Sequence, residues 1–334
     1  MLAFIGDGNN PAARAFTDTL AEANLPKDDN ELALFAVSRE EQDQHNENLA
    51  RVFKWGRVFH DPDMEIARSY GLVRKTEDGL FFTGGWYLLD PTLRVYSKGT
   101  LEEADKLISA IRSLPAAKDH AAPGQELWAP VLMVPRVLSP RFCAHLIDLY
   151  RRGTAAPSGF MREIDGRTVP VMDTKFKRRC DVDIEDKETR DTLNRAISLR
   201  LKPEIKKAFQ FNTTRIERYI VSRYGAEDAG YFKRHRDNTT SGTAHRRFAV
   251  SINLNAEDYE GGELMFPEFG TRTYKPPTGG AVVFSCSLLH EATPVTKGER
   301  FATLPFLYDD DAAKIRKQNK SKIDSEPIVV SEDT

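Results

Sequence analysis

A histidine and an aspartate two positions apart form the strongest candidate for a metal site in this sequence. His235-Arg236-Asp237 is the one H-x-D triplet in the chain. Side chains two positions apart on an extended segment point to the same side, so His235 and Asp237 can reach a single ion. A third ligand must come from another strand, and His290, at the end of a predicted apolar strand over 281–289, is the best candidate. The three side chains together predict a metal site with open coordination positions.

The donor set narrows the chemistry that such a site could perform. Two imidazoles and one carboxylate on one face of a metal are typical of non-haem Fe(II) oxygenases. Arg300 follows His290 after a predicted hairpin, which would place its guanidinium on the strand beside His290 and in the same cavity. A guanidinium there could hold a carboxylate through two hydrogen bonds, a contact worth about 1.5–3 kcal/mol. Taken singly, the triplet could lie in a solvated turn and Arg300 in a surface salt bridge.

Other groups of reactive side chains receive simpler interpretations. The H-x-D triplet also matches the catalytic loop of protein kinases, but that loop needs an asparagine where this chain has Gly242. His245 is interpreted as a residue of a flexible polar loop, and His60-Asp61 as part of a turn. The basic run over 175–179 is predicted to be a solvated face, with attraction of an acidic partner as the alternative.

Two patterns of predicted elements divide the chain. Residues 1–114 alternate between strand-like and helix-like segments, which predicts an α/β layer around a sheet. Helices are predicted over 140–152 and 187–209, and the rest of the second half consists of short strands between Gly- and Pro-rich turns. Such strands are typical of an antiparallel sandwich or barrel. We therefore predict a first domain over 1–115, a linker over 116–130, a second domain over 131–311 and a charged tail over 312–334.

Composition and charge exclude several classes of protein. The chain has 334 residues, of which 40% are hydrophobic and 29% charged, as in ordinary globular proteins. No apolar run approaches the ~20 residues that cross a bilayer, and the first residues lack the pattern of a secretory signal. A net charge of −2 argues against a dedicated nucleic-acid-binding protein. The odd set of cysteines, Cys143, Cys180 and Cys286, predicts reduced thiols and a cytoplasmic location.

The segment from about 216 to 308 resembles the 2-oxoglutarate- and Fe(II)-dependent dioxygenase superfamily, specifically its prolyl 4-hydroxylase-like branch. The residues that carry the resemblance are Arg223-Tyr224-Gly225, Tyr231-Phe232, His235-Arg236-Asp237-Asn238, Arg247, Leu254-Asn255, Tyr259-Glu260-Gly261-Gly262-Glu263-Leu264, Phe266, Pro277-Thr278-Gly279-Gly280-Ala281-Val282-Val283-Phe284, His290, Pro294-Val295, Gly298 and Arg300. The segment 138–143 also looks like the helix that precedes the barrel in this family.

The resemblance implies a double-stranded β-helix, a jelly-roll of the cupin type with flanking helices, in which His235, Asp237 and His290 hold Fe(II). 2-Oxoglutarate would chelate the iron and place its far carboxylate on Arg300, and Tyr224 matches a tyrosine that relatives place near this cosubstrate. With O2, and with ascorbate as a candidate reductant, such enzymes hydroxylate an unactivated C–H bond and release succinate and CO2. The strand 251–255 lacks a tyrosine that animal relatives often have, which leaves the secondary contacts to 2-oxoglutarate open.

The first domain resembles the peroxiredoxins of the thioredoxin fold. The matching segments are Leu34–Arg39, Phe59–Asp63, Ile66–Gly71 and Tyr87–Pro91. The peroxidatic cysteine of that family belongs on the loop after the first strand, here residues 6–12, but no cysteine precedes Cys143. Because attack on peroxide needs a thiolate, the domain is predicted to be catalytically silent and to serve docking, dimerisation or substrate presentation.

Two functions stay open at this stage. The first is a hydroxylase that acts on peptidyl proline, another protein side chain or a small metabolite. The second is a non-catalytic metal-binding scaffold whose thioredoxin-like domain recruits a partner. The fold does not choose among substrates, but a groove above the metal would indicate a polypeptide and a closed pocket a small molecule. The loops 154–179 and 238–246 are expected to decide this. No nucleic-acid or membrane partner is expected, and a homodimer is left open.

Overall fold

The computed structural model of the chain comprises two units, Met1–Ala116 and Ala117–Thr334. It describes residues 1–25, 32–54, 57–76, 79–90, 93–114, 127–324 and 326–330. Most of the predicted linker over 116–130 therefore lies outside the described residues. Of the helices in the described ranges, none is both long enough and apolar enough to cross a membrane.

The first unit is built on one mixed sheet. Its strands are β1 Leu2–Gly6, β2 Phe35–Ser38, β3 Val58–His60, β4 Val73–Thr76, β5 Gly79–Phe82, β6 Gly85–Leu89 and β7 Val95–Thr100, and its helices are α1 Pro11–Glu22, α2 Glu47–Ala50, α3 Glu65–Ser69 and α4 Ala104–Arg112. The sheet order is β3-β2-β1-β6-β7, and β4 and β5 form a separate hairpin. Strands β1, β2 and β3 run parallel, β6 is antiparallel to β1, and β7 is antiparallel to β6.

Strand β1 shows why both faces of this sheet are covered. Ala3 and Ile5 belong to a core that α1 and α4 share, whereas Phe4 between them belongs to the core that includes Ala67 of α3. Successive side chains of a strand point to opposite faces, so the continuous apolar run Leu2–Ile5 requires a buried environment on both sides. The α/β alternation expected for residues 1–114 is present.

A buried carboxylate holds the loop that follows β1. Asp43 is 1% exposed. It accepts hydrogen bonds from the Gly8 N–H at 2.7 Å, the Ser38 hydroxyl at 2.5 Å and the Asn46 side-chain amide at 3.1 Å. A buried charge needs such partners, because burial without them costs several kcal/mol. Asp43 therefore ties the loop after β1 to the end of β2.

We expect Asp43→Ala to loosen the first unit. Hydrogen bonds to a charged group contribute about 1.5–3 kcal/mol, so the amides of β1 should exchange with solvent at least about tenfold faster. Hydrogen exchange of the whole chain, read on β1, measures this. The matched control is Asp105→Ala, which removes an exposed carboxylate from α4 and should leave the exchange unchanged. Unaltered protection of β1 in Asp43→Ala would contradict the role given to this carboxylate.

The second unit contains most of the strands. They are β8 Leu132–Val134, β9 Ala156–Pro157, β10 Phe160–Ile164, β11 Arg167–Met172, β12 Lys177–Arg178, β13 Cys180–Asp183, β14 Arg215–Glu217, β15 Ile220–Gly225, β16 Tyr231–His235, β17 Phe248–Asn253, β18 Glu260–Gly261, β19 Leu264–Met265, β20 Thr273–Tyr274, β21 Ala281–Ser285, β22 His290–Ala292, β23 Val295–Lys297, β24 Glu299–Thr303, β25 Phe306–Tyr308 and β26 Ile328–Val329. Its helices are α5 Pro140–Arg152, α6 Lys187–Ala196, α7 Lys202–Phe209 and α8 Asp310–Asn319.

Two of its sheets face each other. The smaller sheet has the order β12-β16-β22-β19-β20, and the larger has the order β14-β25-β17-β24-β15-β13-β9, with β21 paired to β17 and to β8. Leu264 of the smaller sheet and Ala249 and Phe306 of the larger one belong to a single apolar core. The arrangement is the antiparallel jelly-roll sandwich expected for this part of the chain.

Helices α5, α6 and α7 cover the larger sheet. Leu146, Leu193 and Ile205, one from each helix, lie in a core with Val221 of β15 and Phe301 of β24. The predicted helix over 140–152 agrees with α5, and the helix over 187–209 is present with a π-helical turn at 197–201 between α6 and α7. This layer fixes the larger sheet from behind and leaves its other face to the smaller sheet.

Two expectations differ from the structure. The predicted strand over 281–289 ends at Ser285, and a turn separates it from His290, which begins β22. The tail predicted from residue 312 is not an independent segment, because α8 includes its start and β26 pairs with β11. Asp309 accepts the Ala312 N–H at 2.8 Å, and α8 has acidic residues in its first turn and basic residues in its last. These features stabilise a helix through capping and its dipole.

Candidate active site

Two antiparallel strands bring the predicted metal ligands together. His235 ends β16 and stands opposite His290 in the register of β16 with β22, with ring centroids 4.2 Å apart. Asp237 follows β16, and its N–H donates to the Cys286 carbonyl at 2.9 Å. The donor atoms of the three side chains lie within 4.8 Å of one another, and within the described ranges no other group of His, Cys, Asp and Glu meets this condition.

Hydrogen bonds orient both imidazoles. His235 Nδ1 lies 2.7 Å from the Lys233 carbonyl, and His290 Nδ1 lies 3.0 Å from the Leu288 carbonyl. A carbonyl only accepts, so each Nδ1 carries the proton and each Nε2 keeps a free lone pair. The Nε2 atoms lie 3.6 Å and 3.4 Å from the two oxygens of Asp237, for His235 and His290 respectively. This is the arrangement that a divalent cation needs.

The charges of the site favour a ligating state at neutral pH. Burial alone would raise the pKa of Asp237, but His290 and His235 beside it bring that pKa well below its usual range. Burial and the neighbouring His235 lower the pKa of His290 to about 4. At pH 7 the carboxylate is therefore ionised and His290 is neutral, which are the forms that bind metal. Two imidazoles and one carboxylate fit Fe(II).

The residue between the ligands braces the site. Arg236 does not face the metal position; its Nη2 lies 2.8 Å from Glu268, and its Nη1 also contacts the Ser287 carbonyl. The other oxygen of Glu268 accepts the Leu289 N–H at 2.8 Å. The pair thereby connects the segment after β16 to the turn before β22. Phe232 stacks on the ring of His235 with centroids 3.5 Å apart, which closes one side.

Arg300 lines the same cavity as the three ligands, but it does so from the opposite sheet. It lies on β24 and pairs with Tyr224 of β15. The predicted hairpin beside His290 is therefore wrong, because the chain leaves the smaller sheet after β22 and returns in the larger one. The cavity between the sheets is lined by Tyr224, Ser251 and Arg300 from the larger sheet and by His235 and His290 from the smaller one.

The guanidinium of Arg300 has unused hydrogen-bonding capacity. The residue is 2% exposed, and Nη2 donates to the Ser251 hydroxyl at 2.8 Å. Nε and Nη1 are buried and have no hydrogen-bond partner among the described residues. Buried donors without partners are rare in native proteins, so they point to a ligand group. Buried guanidinium donors of this kind fit an anionic group, and a carboxylate here matches the far end of 2-oxoglutarate.

Two tyrosines accompany Arg300. The ring of Tyr224 lies 5.1 Å from the Arg300 guanidinium carbon, and its hydroxyl is 3.4 Å from Arg179 Nη1. Tyr259, which sequence reasoning left without a role, is buried, and its hydroxyl has no partner in the described part of the chain. Burial raises the pKa of Tyr259 and the charge of Arg300 opposes this, so the hydroxyl is protonated and can donate to a carboxylate. Ser251 lies on the strand that lacks the tyrosine often found in animal relatives, and its hydroxyl accepts a hydrogen bond from Arg300.

A larger cleft opens on the other side of the metal position. It has a volume of about 550 Å³, against about 60 Å³ for the cavity that holds Arg300. Its walls are the β10–β11 hairpin, Phe176 and Lys177, and residues 236–246 after β16. Both loops that were expected to govern substrate choice therefore border this cleft. His235 and Asp237 line both spaces, so the metal position lies where they meet.

Three sequence interpretations outside the triad need correction or refinement. The basic run 175–179 is not a solvated face: Lys177 and Arg179 are 5% and 7% exposed, because alternate residues point inward in an extended segment. His245 is not on a flexible loop but is buried, with Nε2 against Glu217. Asp61 is part of a turn as expected, and its carboxylate accepts the N–H groups of the first turn of α3.

Comparisons with known proteins agree with this geometry. A model of the 2OG-Fe(II) oxygenase superfamily matches residues 219–308. A PKHD-type hydroxylase of Paracoccus denitrificans is 31% identical over 184 residues, which cover 52% of this chain and 75% of that protein. Another PKHD-type hydroxylase, of Nitrosomonas europaea, is 31% identical over 148 residues, which cover 37% of this chain and 64% of that protein. A solved prolyl-4-hydroxylase of Pseudomonas putida is similar at 19% identity with a TM-score of 0.42, over 54% of this chain and 92% of that one.

These matches identify the chain as an iron- and 2-oxoglutarate-dependent hydroxylase that uses O2, with an unspecified substrate. The match to the superfamily model spans the jelly-roll from β15 to β25, including all three residues of the His-Asp-His triad and Arg300. The PKHD-type hydroxylases among its relatives agree with the branch expected from the sequence. The chain belongs to the 2OG-Fe(II) oxygenase superfamily.

Proposed function

We propose that His235, Asp237 and His290 bind the catalytic Fe(II) and that Arg300 binds the distal carboxylate of 2-oxoglutarate. The observation that carries this assignment is a single cavity with a facial donor set on one sheet and two unpartnered guanidinium donors on the other. Bound iron and 2-oxoglutarate supply the oxidising chemistry that converts a C–H bond to an alcohol. Ascorbate as a reductant stays a prediction.

The residues of the chain prepare the site for that chemistry. The two carbonyl groups that accept from Nδ1 hold the imidazoles in the ligating tautomer, and Arg236 with Glu268 keeps the two ligand segments together. Ser251 and Tyr224 hold Arg300 in position before any ligand arrives, so little ordering is needed on binding. Phe232 and Phe284 line the smaller cavity that holds Arg300, the inner cavity, and they reduce the access of water to the metal position.

The larger cleft supports a polypeptide as the substrate. Five consecutive residues, 159–163, line it, although successive side chains of a strand point to opposite faces. The cleft is therefore bordered by the edge of β10 rather than by one of its faces. Strand β10 ends its sheet in the order β10-β11-β26, so its outer edge is available for pairing with an extended segment. A small metabolite has no extended backbone that could form hydrogen bonds along this edge.

Succinate formation tests the proposed activity. The full chain should convert 2-oxoglutarate to succinate slowly with Fe(II) alone and faster with a peptide mixture, and peptides should gain one oxygen atom by mass spectrometry. Chelation of the iron should abolish both signals. Turnover stimulated by metabolites but not by peptides would contradict the substrate class. The scaffold alternative would be favoured if the folded protein forms no succinate even with Fe(II), and if wild type and His290→Ala capture the same partners.

We also propose that the first unit is a thioredoxin-like module without redox chemistry. Its sheet order, with two strands parallel to β1 on one side and the antiparallel pair β6 and β7 on the other, supports this. The loop after β1 holds no cysteine, and Asp43 binds its Gly8 N–H. A reducing, cytoplasmic setting stays a proposal, which the three free cysteines of the second unit support.

A further inference from the structure

Arg218 has a backbone conformation that side chains with a Cβ rarely adopt. Its φ is +77°, at the junction between β14 and β15. The left-handed region is strained for such a residue and is maintained where the surroundings require it. Arg218 lines both the cavity that holds Arg300 and the larger cleft, a position that it shares only with Phe232, His235 and Asp237 among the described residues. The side chain therefore borders the place where substrate meets the metal.

The positive charge of Arg218 is only partly compensated, because it shares its carboxylate partner with Arg179. Its one polar contact in the described part of the chain is with Asp181, at 3.4 Å. That carboxylate is already engaged by Arg179 at 2.7 Å and by the Ser222 hydroxyl at 2.6 Å. Burial, together with the positive charge of Arg179, lowers the pKa of Arg218 to about 10. The guanidinium is thus a partly buried cation whose one carboxylate partner is shared, so it can bind a further anionic group.

Other cations that line the larger cleft already have hydrogen-bond partners: Lys177 donates to the Ser158 hydroxyl at 2.9 Å and to the Gly159 carbonyl, and Arg236 pairs with Glu268. Arg246 lies 2.8 Å from Glu217, which also contacts His245. The cationic Arg300 faces the inner cavity, where the carboxylate of 2-oxoglutarate would neutralise it. Arg218 is therefore the cation that a substrate group would have to match.

A second cation, Arg162, also lines the larger cleft. Arg162 is exposed on β10, and its guanidinium carbon lies 5.4 Å from the Phe160 ring. No carboxylate lies within ion-pair distance of it in the described ranges. The acidic neighbour Glu163 is engaged by the Ser241 N–H at 2.9 Å and by the Thr168 hydroxyl at 3.1 Å. A strand paired along β10 would pass Arg162 in the cleft that Arg218 also lines.

We propose that this enzyme selects acidic polypeptide segments, with an Asp or Glu side chain on Arg218 beside the C–H bond that is hydroxylated. The proposal rests on the proposed function and adds to it the charge of the substrate. A carboxylate there forms a charge-assisted pair with a guanidinium that is already partly buried. Arg162 attracts a second acidic residue farther along the segment. Basic segments are rejected, since their cations would have to approach Arg218.

Peptide pools of different charge test the proposal. The full chain, with Fe(II) and 2-oxoglutarate, is given three random synthetic pools that differ only in carrying Asp and Glu, Asn and Gln, or Lys and Arg. Incorporated oxygen is measured by mass spectrometry. The acidic pool should be hydroxylated at least about tenfold faster than the amide pool, the ratio expected from one charge-assisted hydrogen-bonded pair. Succinate formed without peptide reports separately whether the proposed function itself holds.

Variants assign the preference to Arg218. Arg218→Gln should reduce the acidic-to-amide ratio to nearly one, and Arg218→Lys should keep part of it. Arg218→Gly should also lose the preference, while its thermal unfolding shows an intact fold because glycine suits a φ of +77°. The matched control is Arg215→Gln, an exposed residue on β14 that pairs with Asp310 outside the cleft, and it should keep the full ratio.

Three outcomes would overturn the proposal: equal hydroxylation of the pools, hydroxylation of none of them while uncoupled succinate forms, or a preference that survives Arg218→Gln. A rise in the KM for 2-oxoglutarate with unchanged pool preference would instead assign Arg218 to the cosubstrate, which also contradicts it.

Discussion

Asp237→Ala is expected to reduce succinate formation by at least about a hundredfold. A metal site contributes several kcal/mol to such a reaction, and without the carboxylate two imidazoles alone must hold the cation. The structure makes this residue the centre of the site, since its two oxygens face the Nε2 atoms of His235 and His290 at 3.6 Å and 3.4 Å. Metal titration under anaerobic conditions should show weaker Fe(II) binding in the same variant.

A second variant separates charge from shape at this position. Asp237→Asn keeps the size of the side chain but removes the negative charge, which both histidines stabilise. We expect it to bind Fe(II) almost as poorly as the alanine variant. Asp183→Ala, which removes an exposed carboxylate from β13, is the control and should retain full turnover. Normal iron binding by Asp237→Asn would contradict the assignment of this carboxylate as a ligand.

Arg300→Met is expected to raise the KM for 2-oxoglutarate by about tenfold to a hundredfold. The range corresponds to the loss of charge-assisted hydrogen bonds worth about 1.5–3 kcal/mol. The basis is the pair of buried donors, Nε and Nη1, that find no partner within the described residues. Binding of 2-oxoglutarate to the Mn(II)-loaded protein, followed by calorimetry, should weaken by the same factor without any dependence on turnover.

The conservative variant tests the geometry of this contact. Arg300→Lys keeps the charge but cannot present two parallel N–H donors, so its KM should lie between those of wild type and Arg300→Met. Arg152→Gln, at an exposed residue of α5 that pairs with Asp148, is the matched control and should leave the KM unchanged. If Arg300→Met binds 2-oxoglutarate as tightly as wild type does, the cosubstrate carboxylate lies elsewhere.

Features with a local signal were predictable from the sequence. The spacing of His235 and Asp237 shows up as a triplet because residues two apart share one side of an extended segment. Helix α5 follows a serine and begins with proline, a common start of a helix, and it was predicted with its observed bounds. The β10–β11 hairpin had an equally local signal that was missed: Asp165 and Gly166 both have positive φ, as Asp-Gly turns do.

Features that depend on pairing between distant segments were not predictable in the same way. The predicted hairpin between His290 and Arg300 was wrong. Nothing in the intervening residues shows that the chain changes sheets between β22 and β24. Lys177 and Arg179 look like surface residues by type, yet β12 and β13 turn them inward against Ser158 and Asp181. Ser251 and Arg218 have no distinguishing local pattern, and Tyr259 lies in a matched motif that gives it no role; each acquires its role from its neighbours in the folded chain.

The sequence by itself determined the donor set, the class of reaction and the absence of thiol chemistry in the first 142 residues, because residue type limits what metal or bond a side chain can handle. The tertiary structure decided the geometry. It sets His235 opposite His290, holds Arg300 on the facing sheet with two donors free, and leaves the charge of Arg218 at the cleft. The physical reason is that register and sheet order arise from long-range burial and hydrogen bonding, which no local spacing encodes.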